Sequence, residues 1–173
     1  MISKSKIQIH YMNIKIAYLH GLESKQGGEK VVFLNSLGQT FAPQMLYMEH
    51  SKDLFKDTLQ KMVDFKPDLI IGSSMGGLFS ECIATHINTT LLLFNPATIN
   101  KAKYLSELGI SVFLGIEEVE GNVVLGEKDD VVSPIESELY YSKMNFNVYK
   151  ENHGHRTPLD IFKKYVNLAI LKI

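Results

Sequence analysis

At 173 residues the chain is long enough for one domain with a substantial core, since about 150 residues already bury about 70% of their extended surface, and short for two. Its 18 basic and 19 acidic residues leave a net charge of −1, and no stretch interleaves Lys or Arg with aromatics, which argues against a nucleic-acid surface. A single cysteine, Cys82, excludes an intramolecular disulfide and suits a reducing, cytoplasmic setting, and no apolar run approaches the ~20 residues of a membrane span.

Residues 1–11 carry the weakest pattern. Ile7-Gln8-Ile9-His10-Tyr11 alternates as an extension or edge strand would, His10 reads as an exposed bystander, and Met12 is an alternative start of translation. Ile14 to Leu19 is the first clear strand, and it runs into His20-Gly21-Leu22-Glu23-Ser24. Gly27-Gly28 then opens a helix with apolar Val31, Val32, Leu34 and Leu37, with Gly38 as its C-terminal cap. Thr40-Phe41-Ala42 is a short strand that Pro43 ends. Ser51 to Phe65 repeats Leu54, Phe55, Leu59, Met62 and Val63 on one helical face, with Ser51 placed as N-cap. Met45, Met48 and Met62 read as core fillers.

Leu69-Ile70-Ile71 has the character of a buried strand, Gly72-Ser73-Ser74-Met75-Gly76-Gly77 of a sharp turn, and Leu78 to Ala84 of a helix that encloses Cys82 as a small buried residue. Thr90 to Phe94 is a further strand, closed by Asn95-Pro96, where Asn95 either faces a ligand or caps the turn. Residues 97–121 have no clear period and could form a small cap over a pocket. Their acidic group, Glu117, Glu118 and Glu120, reads as a solvated face, because no metal-ligand spacing accompanies it. Asn122 to Leu125 is a strand that delivers Gly126-Glu127-Lys128-Asp129-Asp130. Ser133-Pro134-Ile135-Glu136 is a capping box with proline at the first helical position. Phe146 to Lys150 is the last strand, followed by His153-Gly154-His155-Arg156. Thr157-Pro158 then caps a closing helix with Leu159, Phe162, Val166, Ile170 and Ile173 in one stripe. Strands alternating with helices imply a mostly parallel sheet of about six strands between two helical layers, with ligands at the carboxyl ends of the strands.

Gly72-x-Ser74-x-Gly76 between a strand and a helix is the pattern of a nucleophile elbow, which lifts a serine hydroxyl above a sheet edge. Ser74 is the candidate nucleophile. A tetrahedral intermediate on it would be held by the backbone N–H of Met75 and by that of Leu22 in the loop after the first strand, with Gly21 allowing close approach and His20 bracing the loop. Asp129, with Asp130 as fallback, sits just past a strand, where a carboxylate can orient a histidine. His155 and His153 compete for the base, and His155 follows a flexible glycine and precedes the last helix. A His-x-His pair without a third ligand is weak evidence for a metal. The chain order is Ser, Asp, His.

These residues give the chain a resemblance to the α/β-hydrolase superfamily, and more closely to its small YqiA/YcfP-like esterase branch. It rests on Leu19-His20-Gly21-Leu22-Glu23-Ser24, Gly72 to Gly77, Phe94-Asn95-Pro96-Ala97, Gly126 to Val132 and Gly154-His155-Arg156, and it covers the chain from about Met12 to the end. The resemblance implies a compact three-layer sandwich with little or no cap, and a Ser74-Asp129-His155 esterase or thioesterase acting on short acyl groups without cofactor or metal. The Gly-His-Arg pattern favours His155. An acyltransferase on the same site and a non-catalytic small-molecule-binding protein are the alternatives. Substrate identity and oligomeric state are not legible from these motifs.

Overall fold

Strands that are apolar on both faces need cover from both sides, and the elements between them supply it. The structure, a computed structural model, describes residues 14–22, 24, 26–49, 53–97, 105–106, 110 and 119–173. The expectations for Ile7 to Tyr11, Met12, Ser51, Glu117, Glu118 and most of the segment 97–121, the cap included, lie outside the described residues.

Six strands, β1 (Lys15–Leu19), β2 (Gln39–Phe41), β3 (Leu69–Ser73), β4 (Thr90–Phe94), β5 (Glu120–Gly126) and β6 (Asn145–Glu151), form one sheet in the order β2-β1-β3-β4-β5-β6, and every neighbouring pair is parallel. Among the described residues the helices are α1 (Gly28–Asn35), α2 (Leu54–Phe65), α3 (Met75–Ala84) and α4 (Pro134–Tyr141), which lie between strands, and α5 (Leu159–Ile170), which follows β6, with a 3₁₀ turn at Tyr47–Glu49. The alternation of side chains along the strands builds two cores. Ala17, Leu19, Ile70, Leu91, Leu93, Val123 and Leu125 pack under α2, α3 and α4. Ile16, Tyr18, Leu69, Ile71, Leu92, Phe94 and Val124 pack under α1 and α5.

Register decides where the chemistry can be. Leu19 pairs with Gly72, Gly72 with Leu93, Phe94 with Val124 and Gly126 with Glu151. The carboxyl ends of β1, β3, β4, β5 and β6 are therefore level, so His20, Ser74, Asn95, Glu127 and Asn152 each leave the sheet on the same edge.

Several helical details differ from the pattern in the sequence. Val32 (69% exposed) and Val63 (42%) face solvent, while Leu34 of α1 and Met62 of α2 face the core. Ile173 lies beyond the end of α5 and is exposed, while Tyr165 and Ala169 complete the buried stripe. Ser36, in the right-handed region, ends α1, so Gly38 is not its cap. Glycine is needed at 38 for another reason: a Cβ there would lie 2.2 Å from the Ile14 carbonyl oxygen. The N-cap position of α2 is Asp53, and that of α5 is Pro158 without a side-chain cap. The N-cap half of the Ser133 box forms, with Ser133 Oγ accepting from Glu136 N at 3.3 Å.

A buried carboxylate joins the second layer. Glu81 of α3 accepts from the hydroxyls of Tyr140 (2.7 Å) and Tyr141 (3.0 Å) on α4. Burial first, then the nearby carboxylate, holds both phenols above their usual range. The helix that follows Asp129 is thereby tied to the helix that follows Ser74.

Candidate active site

The elbow is strained at the serine itself. Ser74 has φ 53° and ψ −119°, a region that residues with a Cβ rarely adopt and that costs about 1–3 kcal/mol. Backbone bonds hold it there. Ser74 N donates to Phe94 O (3.0 Å), and Ser74 O accepts from Gly77 N (2.9 Å) and Ala97 N (3.0 Å). The two flanking glycines serve packing rather than a left-handed backbone. A Cβ on Gly76 would stand 2.0 Å from Leu19 O, and one on Gly72 2.6 Å from Gly76 O. α3 starts at Met75, so its N–H is among those with no intrahelical acceptor, at the positive end of the helix.

Two turns bring a histidine and an aspartate to Ser74. His155 Nε2 is 3.0 Å from Ser74 Oγ, and its Nδ1 is 2.8 and 3.1 Å from the two oxygens of Asp129. A carboxylate only accepts, so Nδ1 carries the proton and Nε2 presents its lone pair to the Ser74 hydroxyl. Asp129 is fixed independently of the histidine: its Oδ1 accepts from Val131 N (2.9 Å) and Val132 N (2.8 Å), closing a local turn. Asp130 is exposed and makes no such contact.

His153 is elsewhere. It is buried beneath Gly126, where a Cβ would meet its Nδ1 at 2.7 Å, and that nitrogen donates to Gly154 O at 2.6 Å. His153 is absent from the cavity wall that His155 lines.

The loop after β1 closes the other side. A Cβ on Gly21 would lie 3.1 Å from Ser74 Cβ, so only glycine lets this backbone approach the elbow without displacement. Leu22 and Met75 both line the cavity in front of Ser74. His20 is buried and braces the loop. Its Nε2 accepts from Met45 N (3.0 Å), which makes Nδ1 the donor to Gly21 O (2.8 Å), and Tyr47 OH donates to the His20 carbonyl (2.8 Å).

Asn95 has a role that neither reading of the sequence captured. Its side-chain oxygen accepts from Gly126 N (2.7 Å), and its amide donates to Gly154 O (3.1 Å) and His155 O (2.7 Å). Buried at φ 43°, it joins the end of β5 to the turn that carries His155, and it neither faces the cavity nor caps the turn into Pro96. Its partners lie 31 to 60 residues away, so no local pattern announces them.

The cavity has a volume of about 610 Å³ and is lined by Ser74, His155 and Leu22 together with Tyr18, Lys30 and Arg156. Burial pushes the Tyr18 phenol up to about 12 and pulls the Lys30 ammonium down to about 8, so at neutral pH the phenol keeps its proton and the amine is still mostly charged. Among the described residues no group of three or more His, Cys, Asp or Glu is arranged to hold a metal ion, and no helix is long and apolar enough to cross a membrane.

The family described as "Uncharacterised protein family (UPF0227)" has a model that matches residues 15–114. No curated protein matches the chain in sequence. Among solved structures, Est1E from Butyrivibrio proteoclasticus superposes with a TM-score of 0.70 at 14% identity, covering 93% of this chain and 90% of its own. A chain from the work on LipS and LipT, two metagenome-derived lipolytic enzymes, gives 0.69 at 14% identity, with 94% and 95% covered. MGS-MChE2, an alpha/beta hydrolase from a lagoon-sediment metagenome of Mar Chica, Morocco, gives 0.62 at 16% identity, with 90% and 88% covered. At such identities the likeness concerns the fold, which is that of the α/β hydrolases.

Proposed function

The chain belongs to the UPF0227 family, and we propose that it is a serine hydrolase that cleaves short-chain acyl esters or thioesters through an acyl-enzyme on Ser74. The observation that carries this reading is the unbroken line of hydrogen bonds from Asp129 through His155 to Ser74 at the wall of one cavity. The fold it shares with the lipolytic enzymes LipS and LipT supports it.

In the first half-reaction Ser74 Oγ attacks the acyl carbon while its proton passes to His155 Nε2. The imidazolium so formed is stabilised by Asp129, and the oxyanion by the N–H groups of Met75 and Leu22 and the positive end of α3. Collapse expels the alcohol or thiol, which takes the proton from His155. Water then attacks the acyl-enzyme, gives its proton to His155, and releases the acid as Ser74 regains its hydrogen. No cofactor enters these steps, which use groups of the chain and one water.

On this reading residues 1–173 act as one domain in the cytoplasm, where the lone buried Cys82 suits reducing conditions, and the partner is a small-molecule acyl substrate rather than nucleic acid or membrane. The test is covalent labelling with a fluorophosphonate, mapped by peptide mass, beside hydrolysis of a short p-nitrophenyl ester. The expected adduct is on Ser74, and Ser74→Ala loses both label and turnover. Turnover undiminished in Ser74→Ala would remove the serine from the mechanism.

A further inference from the structure

The cavity in front of Ser74 is also bounded by Gly27, Gly28, Glu29 and Lys30 at the start of α1 and by Arg156 and Thr157 just past His155. None of these has a part in the acyl chemistry above. Together they give this side of the cavity two positive side chains, Lys30 and Arg156.

The Lys30 ammonium is partly buried 5.0 Å over the Phe162 ring, and among the described residues no carboxylate pairs with it. An aromatic face attracts a cation but does not neutralise it. Arg156 brings a second positive charge to the same wall, while Glu29, the one acid lining it among the described residues, is exposed. The N-cap of α1 is Gly27, so no side chain accepts from the first amides of the helix. Gly27 (φ 92°) and Gly28 (φ 82°) have nothing within 4 Å of where a Cβ would stand, so the space beside this backbone is open. An uncapped helix start with accessible backbone binds anions through its N–H groups and its dipole.

Resting on the serine-hydrolase reading, we propose that this arm of the cavity is an anion-recognition site, in which Lys30 and Arg156, helped by the amides at the start of α1, hold a carboxylate or phosphate group carried by the ester. The substrate class is then an acidic ester: one end reaches Ser74 and the other bears the negative charge. Burial that pulls Lys30 down to about 8 leaves most of the ammonium charged at neutral pH, and a bound anion would return it towards its ordinary value.

The test reads binding without turnover, in the full chain carrying Ser74→Ala. Titration calorimetry at low salt compares monoethyl succinate and 2-acetoxyethyl phosphate with the neutral diethyl succinate. At least one anion is expected to bind about tenfold or more tightly than the neutral ester, in keeping with a charge-assisted contact. A second substitution, Lys30→Met, should reduce that ratio to within about twofold, and Lys30→Arg should preserve much of it. Arg156→Met takes the place of Lys30→Met if the latter fails to fold. Preference for the carboxylate or for the phosphate identifies the anion. Equal binding of charged and neutral probes, no measurable binding of either anion, or a ratio unchanged in Lys30→Met overturns the site. Since Ser74 is already removed, these outcomes are independent of whether the wild-type chain forms an acyl-enzyme.

Discussion

On the wall that carries His155, Asp129 accepts from Val131, Val132 and His155, and Asn95 spends its oxygen and amide on three backbone groups. On the wall formed by α1 and the turn before α5, a lysine ammonium lies against an aromatic ring, and among the described residues no carboxylate pairs with it. The first wall is tied together by bonds from side chains to backbone. The second presents charge to the cavity, and the contrast separates positions that hold a geometry from positions that select what enters it.

The sharpest way to break the contrast is to remove members of the first wall. His155→Ala is expected to lower kcat/KM by about 10⁴-fold or more, while His153→Ala, whose ring is buried beneath Gly126, should lower it by less than about tenfold. Steady-state kinetics on a short p-nitrophenyl ester checks the ranking, and the reverse order would transfer the base to His153. Next comes Asn95→Asp, which puts a carboxylate against the Gly154 and His155 carbonyl oxygens. Displacement of the histidine turn by about 1 Å is expected to lower kcat by about 10²-fold with little change in KM. Equal loss of kcat in Asn95→Asp and in a variant of matched stability elsewhere would reduce Asn95 to a general support.

The smallest effect belongs to the second wall, and its sign is opposite. The Lys30 pKa falls from 10.5 to about 8 on folding, so the unfolded chain holds this proton to higher pH than the folded one. The penalty is fully present below about pH 8, and stability is regained as pH rises from there through 10.5. Lys30→Met is therefore expected to stabilise the protein at pH 7 by at most about 3 kcal/mol, an upper bound that the lost contact with Phe162 reduces. Urea unfolding at pH 7 and pH 10 should show the advantage over wild type shrinking at the higher pH. A lysine whose removal destabilises equally at both values would be a packing residue.

Legibility followed the range of the interactions. Gly72-x-Ser74-x-Gly76 between an apolar strand and a helix is a local pattern, and so are the Ser133 box and the turn that Asp129 closes onto Val131 and Val132. The parallel sheet followed from runs such as Leu69-Ile70-Ile71 and Leu91-Leu92-Leu93, apolar on both faces. The choice between His153 and His155 was not in the spacing, because both lie within reach of the end of β6. What separates them is the bond from His153 back to Gly154 O and its place beneath Gly126. Lys30 and Thr157 read as ordinary members of helix starts, and only the fold brings them to one cavity 127 positions apart in sequence.

Asn95 also bears on how the protein ages. An asparagine most often loses its amide when the backbone nitrogen of the next residue attacks the side-chain carbonyl and closes a five-membered imide. Here the next residue is Pro96, whose ring nitrogen has no hydrogen to lose, so that route is closed. Deamidation would convert the donor facing Gly154 and His155 into a repelling carboxylate, the same change as Asn95→Asp. The joint that holds the histidine turn is therefore placed where slow chemical damage has its poorest access.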